Sequence, residues 1–213
     1  MKICVVTAHT NEIIEMAAKT LLNKTAYCAK HNYDVTAHYG RLGVGDPSWD
    51  KLPLVSALLP YYDWVVWMDS DCIFNNFNKR LESYFVSDGI FVRDFASTEE
   101  NKNTQLVNAG VFALRNCNNS FEFLQAISKQ QPTEIKNVSR RSYGGWPWEQ
   151  GPISVELQRS NCFSVLSDMD MNSHPSIATH DTFVIHYMGW RTNIETEQAA
   201  LSDITRRNLV LLT

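Results

Sequence analysis

The chain has 213 residues, of which 44% are hydrophobic and 20% charged, with a formal net charge of −4. This is length enough for one sizeable core of ordinary globular composition, and no break, repeat or low-complexity tract divides it. The acidic balance excludes a general polyanion binder, because a nucleic-acid surface needs a basic face. The apolar run from Ile3 stops at Thr7 and His9, short of a signal peptide, and no later segment approaches a membrane span. Five cysteines (Cys4, Cys28, Cys72, Cys117 and Cys162) form no C-x-x-C pair, which predicts reduced thiols in a cytoplasmic setting.

Ile3 to Thr7 reads as a first strand, and His9-Thr10-Asn11 as the turn into a helix. Along that helix Ile14, Ala18, Leu21 and Leu22, with Ala17, Cys28 and Ala29, predict the buried face. Tyr33 to Tyr39 alternates as a second strand, giving a βαβ unit with a parallel pair and a right-handed crossover. Gly40 to Pro47 is a loop, and Arg41 in it is either a solvated cation or one held at a strand's carboxyl end. Asp50 to Leu59 predicts a helix that tolerates Pro53 in its first turn and ends at Pro60.

The stretch Trp64-Val65-Val66-Trp67-Met68 then runs into Asp69-Ser70-Asp71. A continuous apolar run of this kind is a strand covered on both faces, and in α/β sheets ligands bind beyond the carboxyl ends of strands. If the backbone stays extended, both carboxylates project on the same side. Two readings follow: a hard divalent cation holding a phosphate-bearing ligand, or a polar turn after a core strand.

Further on, Lys79 to Phe85 predicts a short helix, and Ile90 to Val92 a strand delivering Arg93 and Asp94. Ser97 to Gln105 is a polar loop. Val107 to Leu114 is strand-like but contains Asn108 and Gly110, which marks either a close approach or a simple bulge. Ser120 is placed to cap a helix from Phe121 to Lys129. Gln131 to Pro147 is a loop carrying Arg140, Arg141 and Trp146, and Glu149-Gln150 opens a helix to about Arg159. Phe163 to Leu166 is a further strand, and Asp168-Met169-Asp170 repeats the D-x-D spacing in the surroundings of a turn, so it is read as loop. Thr182 to Ile185 is the last strand and delivers His186-Tyr187-Met188-Gly189-Trp190-Arg191. A terminal helix, about Thr196 to Leu212, ends on an apolar turn, as expected of one module of a longer protein.

Four features in this order, Asp69-Ser70-Asp71, Asn108-Ala109-Gly110, Trp148-Glu149-Gln150 and His186 to Arg191, resemble the retaining D-x-D glycosyltransferases of GT-A fold. The likeness is to galactosyl-, mannosyl- and xylosyltransferases of yeast and plants, to chlorella-virus glycosyltransferase domains and, more distantly, to glycogenin-like enzymes. It implies an α/β fold, a single GT-A (Rossmann-like) domain over 1–213 with a mostly parallel central sheet flanked by helices. The nucleotide would lie in about 1–94, the donor sugar and acceptor in about 95–213. Asp69, Asp71 and His186 would bind Mn²⁺ (Mg²⁺ possible) across the two phosphates of a UDP-sugar, with Ser70 near the ribose. Thr7, Ala8 and His9, with Arg41, would hold the nucleoside, and Gly189, Trp190 and Arg191 would close on the diphosphate. The glycogenin-like members carry a lysine in that closing segment where this chain has Arg191. Asn108, Ala109, Gly110 and Asp94 would face the donor sugar, while Gln150 beside Glu149 approaches its anomeric carbon; Gln150, Glu149 and Asp94 are the catalytic candidates. The implied partners are a nucleotide-sugar and a glycan acceptor, for a monomer with no membrane span.

The residues support such chemistry unaided. A Lewis-acid cation with a fixed positive group stabilises charge developing on a leaving diphosphate. Imidazole is a softer donor than carboxylate and favours Mn²⁺ over Mg²⁺. Front-face transfer is expected over a covalent route through Gln150, a poor nucleophile. Two rivals stand beside it: an aspartate-nucleophile phosphatase, whose late acidic pair could only be Asp168 and Asp170, and a non-catalytic carbohydrate- or nucleotide-binding module using the six tryptophans as stacking surfaces.

Overall fold

The computed structural model describes the chain except for residues 44, 101–105, 132–147, 168 and 213. Arg140, Arg141, Trp146 and Asp168, with the end of the predicted loop Ser97 to Gln105 and all but the first residue of the loop Gln131 to Pro147, lie outside the described residues. Strand β1 (Ile3–His9), helix α1 (Ile14–His31) and strand β2 (Asp34–Tyr39) make the predicted βαβ unit. Helix α2 (Lys51–Leu58), β3 (Trp64–Met68), β4 (Cys72–Phe74), β5 (Gly89–Arg93) and β6 (Val107–Arg115) follow. After α3 (Asn118–Ser128) come α4 (Gln150–Arg159), β7 (Phe163–Leu166), β8 (Val184–His186) and α5 (Ile194–Leu212).

Six strands form one sheet in the order β2-β1-β3-β6-β5-β7. Three of its pairings are parallel, and β6 runs antiparallel between β3 and β5. All five residues of β3 are buried. Val66 and Met68 join the core on one face of the sheet, Val65 and Trp67 the core on the other, as the strand's period of two requires. Each such side chain, fully buried, contributes roughly 1.5–3 kcal/mol. The last strand departs from the main sheet: β8 pairs antiparallel with β4, placing His186 opposite Cys72. That register brings a residue from late in the chain beside the carboxylates after β3.

Three local expectations are corrected. Ile14, Ala18, Leu22 and Ala29 of α1 are exposed, and the helix instead buries Met16, Ala17, Thr20, Asn23, Lys24, Tyr27 and Cys28. Its inner face is partly polar because its partners are backbone carbonyls. The helix stops where Asn32 takes a left-handed conformation (φ 58°) and Tyr33 N–H returns to Cys28 O. Residues Leu81–Tyr84 form a 3₁₀ turn in place of the predicted helix, since Tyr84 stacks on Phe183 and Phe85 on Trp64. Cys117 occupies the N-cap of α3, and Ser120 lies inside the helix, where its hydroxyl donates to Asp88 O. Among the described residues no helix is long and apolar enough to cross a membrane.

Candidate active site

The main sheet opens into a cleft of about 160 Å³ at the carboxyl ends of β1 and β3. Ala8, His9, Gly40, Arg41, Lys51, Asp69 and Ser70 are among its lining residues. Burial pushes the His9 imidazole below its ordinary range, and the charge of Lys24 adds to the effect. Thr7 lies deeper, 3% exposed, with a hydroxyl that has no hydrogen-bond partner among the described residues. Arg41 does line the cleft, but its Nε donates to Asp50 Oδ2 at 2.8 Å and its Nη2 to Gly45 O at 2.6 Å. It is therefore a paired cation rather than a free one.

At the edge of this cleft the three predicted ligands meet. His186 Nε2 lies 3.2 Å from Asp71 Oδ1 and 3.9 Å from Asp69 Oδ2. Burial opposes the imidazolium, yet Asp71 and then Asp69 hold His186 above its ordinary pKa. Burial alone would likewise raise the Asp71 carboxyl, but His186 overrides it and keeps the group below the usual range. Cys72 Sγ also comes within 4.8 Å of Asp71 and His186, but burial keeps this thiol protonated and it donates to Gly110 O. The donor set that fits a divalent cation is two carboxylates and one imidazole.

The D-x-D segment is oriented from behind by the polar face of α1. Thr20 Oγ1 donates to Ser70 O, Lys24 Nζ to Cys72 O at 2.7 Å, and Asn23 exchanges two bonds with the backbone of Phe74. Burial pushes the Lys24 ammonium down to about 8, against the pull of the nearby Asp71 and Asp69. The unfolded chain, with lysine near about 10.4, then binds more protons between these values, so this group makes stability rise with pH across that interval. In urea melts the stability of the parent relative to Lys24→Met is expected to be flat below pH 8 and to climb towards pH 10. A constant difference would show that Lys24 does not titrate in this window.

Strand β6 backs the His186 ring through a bulge. Its ladder with β5 steps from Phe91↔Phe112 to Val92↔Asn108, leaving Ala109, Gly110 and Val111 without β5 partners. Side chains and loop backbone take up the freed groups: Gln150 Oε1 accepts from Ala109 N, Lys51 Nζ donates to Ala109 O at 3.0 Å, and Asp69 N donates to Gly110 O. Gly110 is required here for space. A Cβ at this position would stand 2.2 Å from His186 Cε1. The close approach read from this glycine is thus to the imidazole ring.

The residues expected at the donor sugar are held by neighbouring groups. Ala109 is 1% exposed and Gly110 backs His186, so neither presents a side chain to a sugar. Asn108 turns its Oδ1 to Gly110 N and to Asn172, with its Nδ2 against Met188. Glu149 is 2% exposed and pairs with Lys51 at 2.6 Å. Gln150 and Asp94 do come together, Nε2 to Oδ2 at 3.3 Å, and the other Asp94 oxygen accepts from Ala96 N.

Lys51 is the residue the sequence reading missed. It is buried and links Asp69 (3.2 Å), Glu149 and Ala109, and although burial opposes its charge, Asp69 and then Glu149 hold it above its ordinary range. One signal was available: Lys51, Val55 and Leu59 stand at helical spacing, and all three are buried. Gly189, with φ 78°, starts the segment that places Arg191 at the surface, 3.7 Å from Glu12, while Trp190 packs against α5. Asp170 accepts from Lys79, Tyr84 and Phe183 N, so it supports the β8 region and does not supply the late acidic group a phosphatase needs.

A buried parallel strand ending in carboxylates, a cleft beside it and an imidazole from a late strand sit on a GT-A fold. A glycosyltransferase involved in the glycosylation of the major capsid of PBCV-1 superposes with a TM-score of 0.71 over 97% of this chain and 100% of that one, at 18% identity. A Drosophila β1,4-galactosyltransferase 7 mutant, solved with manganese, UDP-Gal and xylobiose, gives 0.51 over 94% of this chain and 79% of that one, at 10% identity. Residues 2–106 match the galactosyl transferase GMA12/MNN10 family. Galactomannan galactosyltransferase 1 of Cyamopsis tetragonoloba is 33% identical over 116 residues, 52% of this chain and 27% of that protein. The chain spans about a quarter of the length of the curated relatives it matches.

Proposed function

We propose that this chain transfers a hexosyl, deoxyhexosyl or pentosyl group from a UDP-sugar to a glycan acceptor, with a divalent cation, preferably Mn²⁺, and with retention of configuration. The observation that carries the proposal is the convergence of Asp69, Asp71 and His186 Nε2 beside the cleft at the end of β1. Asp69 is additionally held by Trp67 Nε1 at 2.7 Å and by Lys51, so its carboxylate is oriented before any ligand arrives. The cation would supply Lewis-acid stabilisation of the diphosphate leaving group. Ala8, His9 and the His9–Tyr39 ring pair form the wall for the nucleoside.

Retention by front-face transfer agrees with the state of the candidate nucleophiles. The Gln150 oxygen is bonded to Ala109 N, Glu149 is paired with Lys51, and both Asp94 oxygens are engaged. Asp94 and Gln150 then serve to orient the sugar and to place negative potential beside an oxocarbenium-like transition state. Calorimetric titration with UDP is expected to show binding that requires Mn²⁺ and that falls at least about 100-fold in Asp71→Asn, corresponding to some 2.7 kcal/mol. Equal UDP affinity with and without Mn²⁺ would sink the proposal. Transfer is checked separately by the anomeric configuration of the product in proton NMR, where inversion would refute the front-face route.

A further inference from the structure

We propose that Asn172 is a positioning residue that decides which nitrogen of His186 is left bare for a cation, and that Asn108 and the Gly110 backbone hold Asn172 in the required orientation. The inference rests on the divalent-cation reading above. It begins at a group with no choice of role, the Gly110 N–H, which can only donate and does so to Asn108 Oδ1 at 2.9 Å. The Asn108 amide is thereby fixed with its oxygen inward. Asn172 can meet that oxygen only through Nδ2, which lies 2.9 Å from it and 3.3 Å from Asn108 O. The other end of the same amide, Oδ1, is 2.8 Å from His186 Nδ1 and can only accept. His186 therefore keeps its proton on Nδ1, and Nε2, the nitrogen facing Asp71 and Asp69, is the one that can release its proton to a cation.

Burial gives this relay its force. Asn172 is 3% exposed and His186 5%, so water does not compete for either group. Asn172 is set in place by its neighbour: Ser173 N donates to Val184 O at 3.0 Å, and His186 N donates to Ser173 O at 2.8 Å. The segment that carries the amide is thus tied to the strand that carries the ring. Partners of this kind behind a metal-binding histidine fix its tautomer, and their loss weakens metal affinity by about 10–100-fold.

The test uses Asn172→Leu, which keeps the approximate volume and removes the acceptor, and Asn172→Asp, which keeps an acceptor. Titration of each with MnCl₂ and UDP is expected to show Mn²⁺ binding at least about tenfold weaker in the leucine variant and within a few-fold of the parent in the aspartate variant. Nitrogen NMR of histidine-labelled, Mg²⁺-loaded protein is expected to show a proton bonded to His186 Nδ1 in the parent and its loss in the leucine variant. Should the leucine variant fail to fold, Asn108→Ser frees the Asn172 amide to turn over and is expected to weaken Mn²⁺ in the same direction. Parent-like Mn²⁺ affinity with Nδ1 still protonated in a variant lacking the relay would overturn the proposal, leaving Asn172 as filler. His186→Ala in the same titration separates the two ideas: if it binds Mn²⁺ as the parent does, the cation reading itself fails, whatever Asn172 does.

Discussion

Gly110→Ala is expected to abolish cation-dependent nucleotide binding while the protein still folds. The added methyl would lie 2.2 Å from His186 Cε1, 2.5 Å from Nδ1 and 2.9 Å from Asn108 Oδ1, all far inside contact distance. Nothing on that side can yield cheaply. The ring is buried between β6 and the Asn172 amide, and the glycine's own backbone is bonded to Asn108 and Asp69. The ring must therefore leave the gap between Asp71 and Asp69, or the bulge must open. Overpacking of this kind costs about 1–3 kcal/mol of stability. Loss of the imidazole from the cation's donor set should weaken Mn²⁺ by more than the roughly 100-fold upper range seen for outer partners. A denaturant melt and a Mn²⁺ titration on the same sample check both halves. A well-folded alanine variant that binds Mn²⁺ normally would show that the bulge opens and leaves the ring in place, or, if His186→Ala also binds normally, that His186 is not a ligand.

The second large effect is at Lys51. Replacing it by methionine removes the partner of Glu149, whose side chain is 3% exposed, and one partner of Asp69. Breaking a buried pair by deleting one member typically costs about 3–5 kcal/mol, because a charge is left uncompensated. That is a large part of the roughly 5–15 kcal/mol that holds a domain together. The penalty carries a pH signature. Burial already raises the Glu149 carboxyl above its ordinary value despite the pull of Lys51, and without Lys51 only the smaller pull of Ser48 opposes that rise. A carboxyl whose folded pKa lies above its unfolded one contributes stability at low pH that is lost as pH rises through the folded value. Lys51→Met should thus be closer to the parent at pH 5 than at pH 8 in urea melts. Adding Glu149→Gln should recover much of the loss and flatten the dependence. An equal deficit at both pH values would mean that Glu149 is not the source of the penalty.

Both predictions concern polar groups whose partners lie far away in sequence, and this is where the sequence was least legible. The run Trp64 to Met68 identified the central strand, and the following Asp69 and Asp71 marked its carboxyl end, because an uninterrupted apolar run has few alternatives to burial on both faces. His186 was identified through the order of motifs and is found beside the pair. The buried face of α1 was misjudged for a physical reason. Thr20, Asn23 and Lys24 look like solvent residues until their partners, the carbonyls of Ser70, Phe74 and Cys72, are brought alongside. Glu149 and Asn108 were assigned to the sugar because they sit within recognisable motifs. Their neighbours Lys51 and Asn172, which carry no motif, hold both side chains.

By itself the sequence determined the α/β class, the βαβ start, the strand that presents the Asp pair and the late strand that presents His186. These follow from hydrophobic burial, which is non-directional and leaves a periodic trace along the chain. Only the tertiary structure decided that β8 pairs with β4, that the β6 bulge is satisfied by Lys51, Gln150 and Asn108, and that Gly110 makes room for an imidazole. Those outcomes depend on directional hydrogen bonds and ion pairs between distant segments, whose strength lies in distance and angle and which leave no periodic mark on either segment.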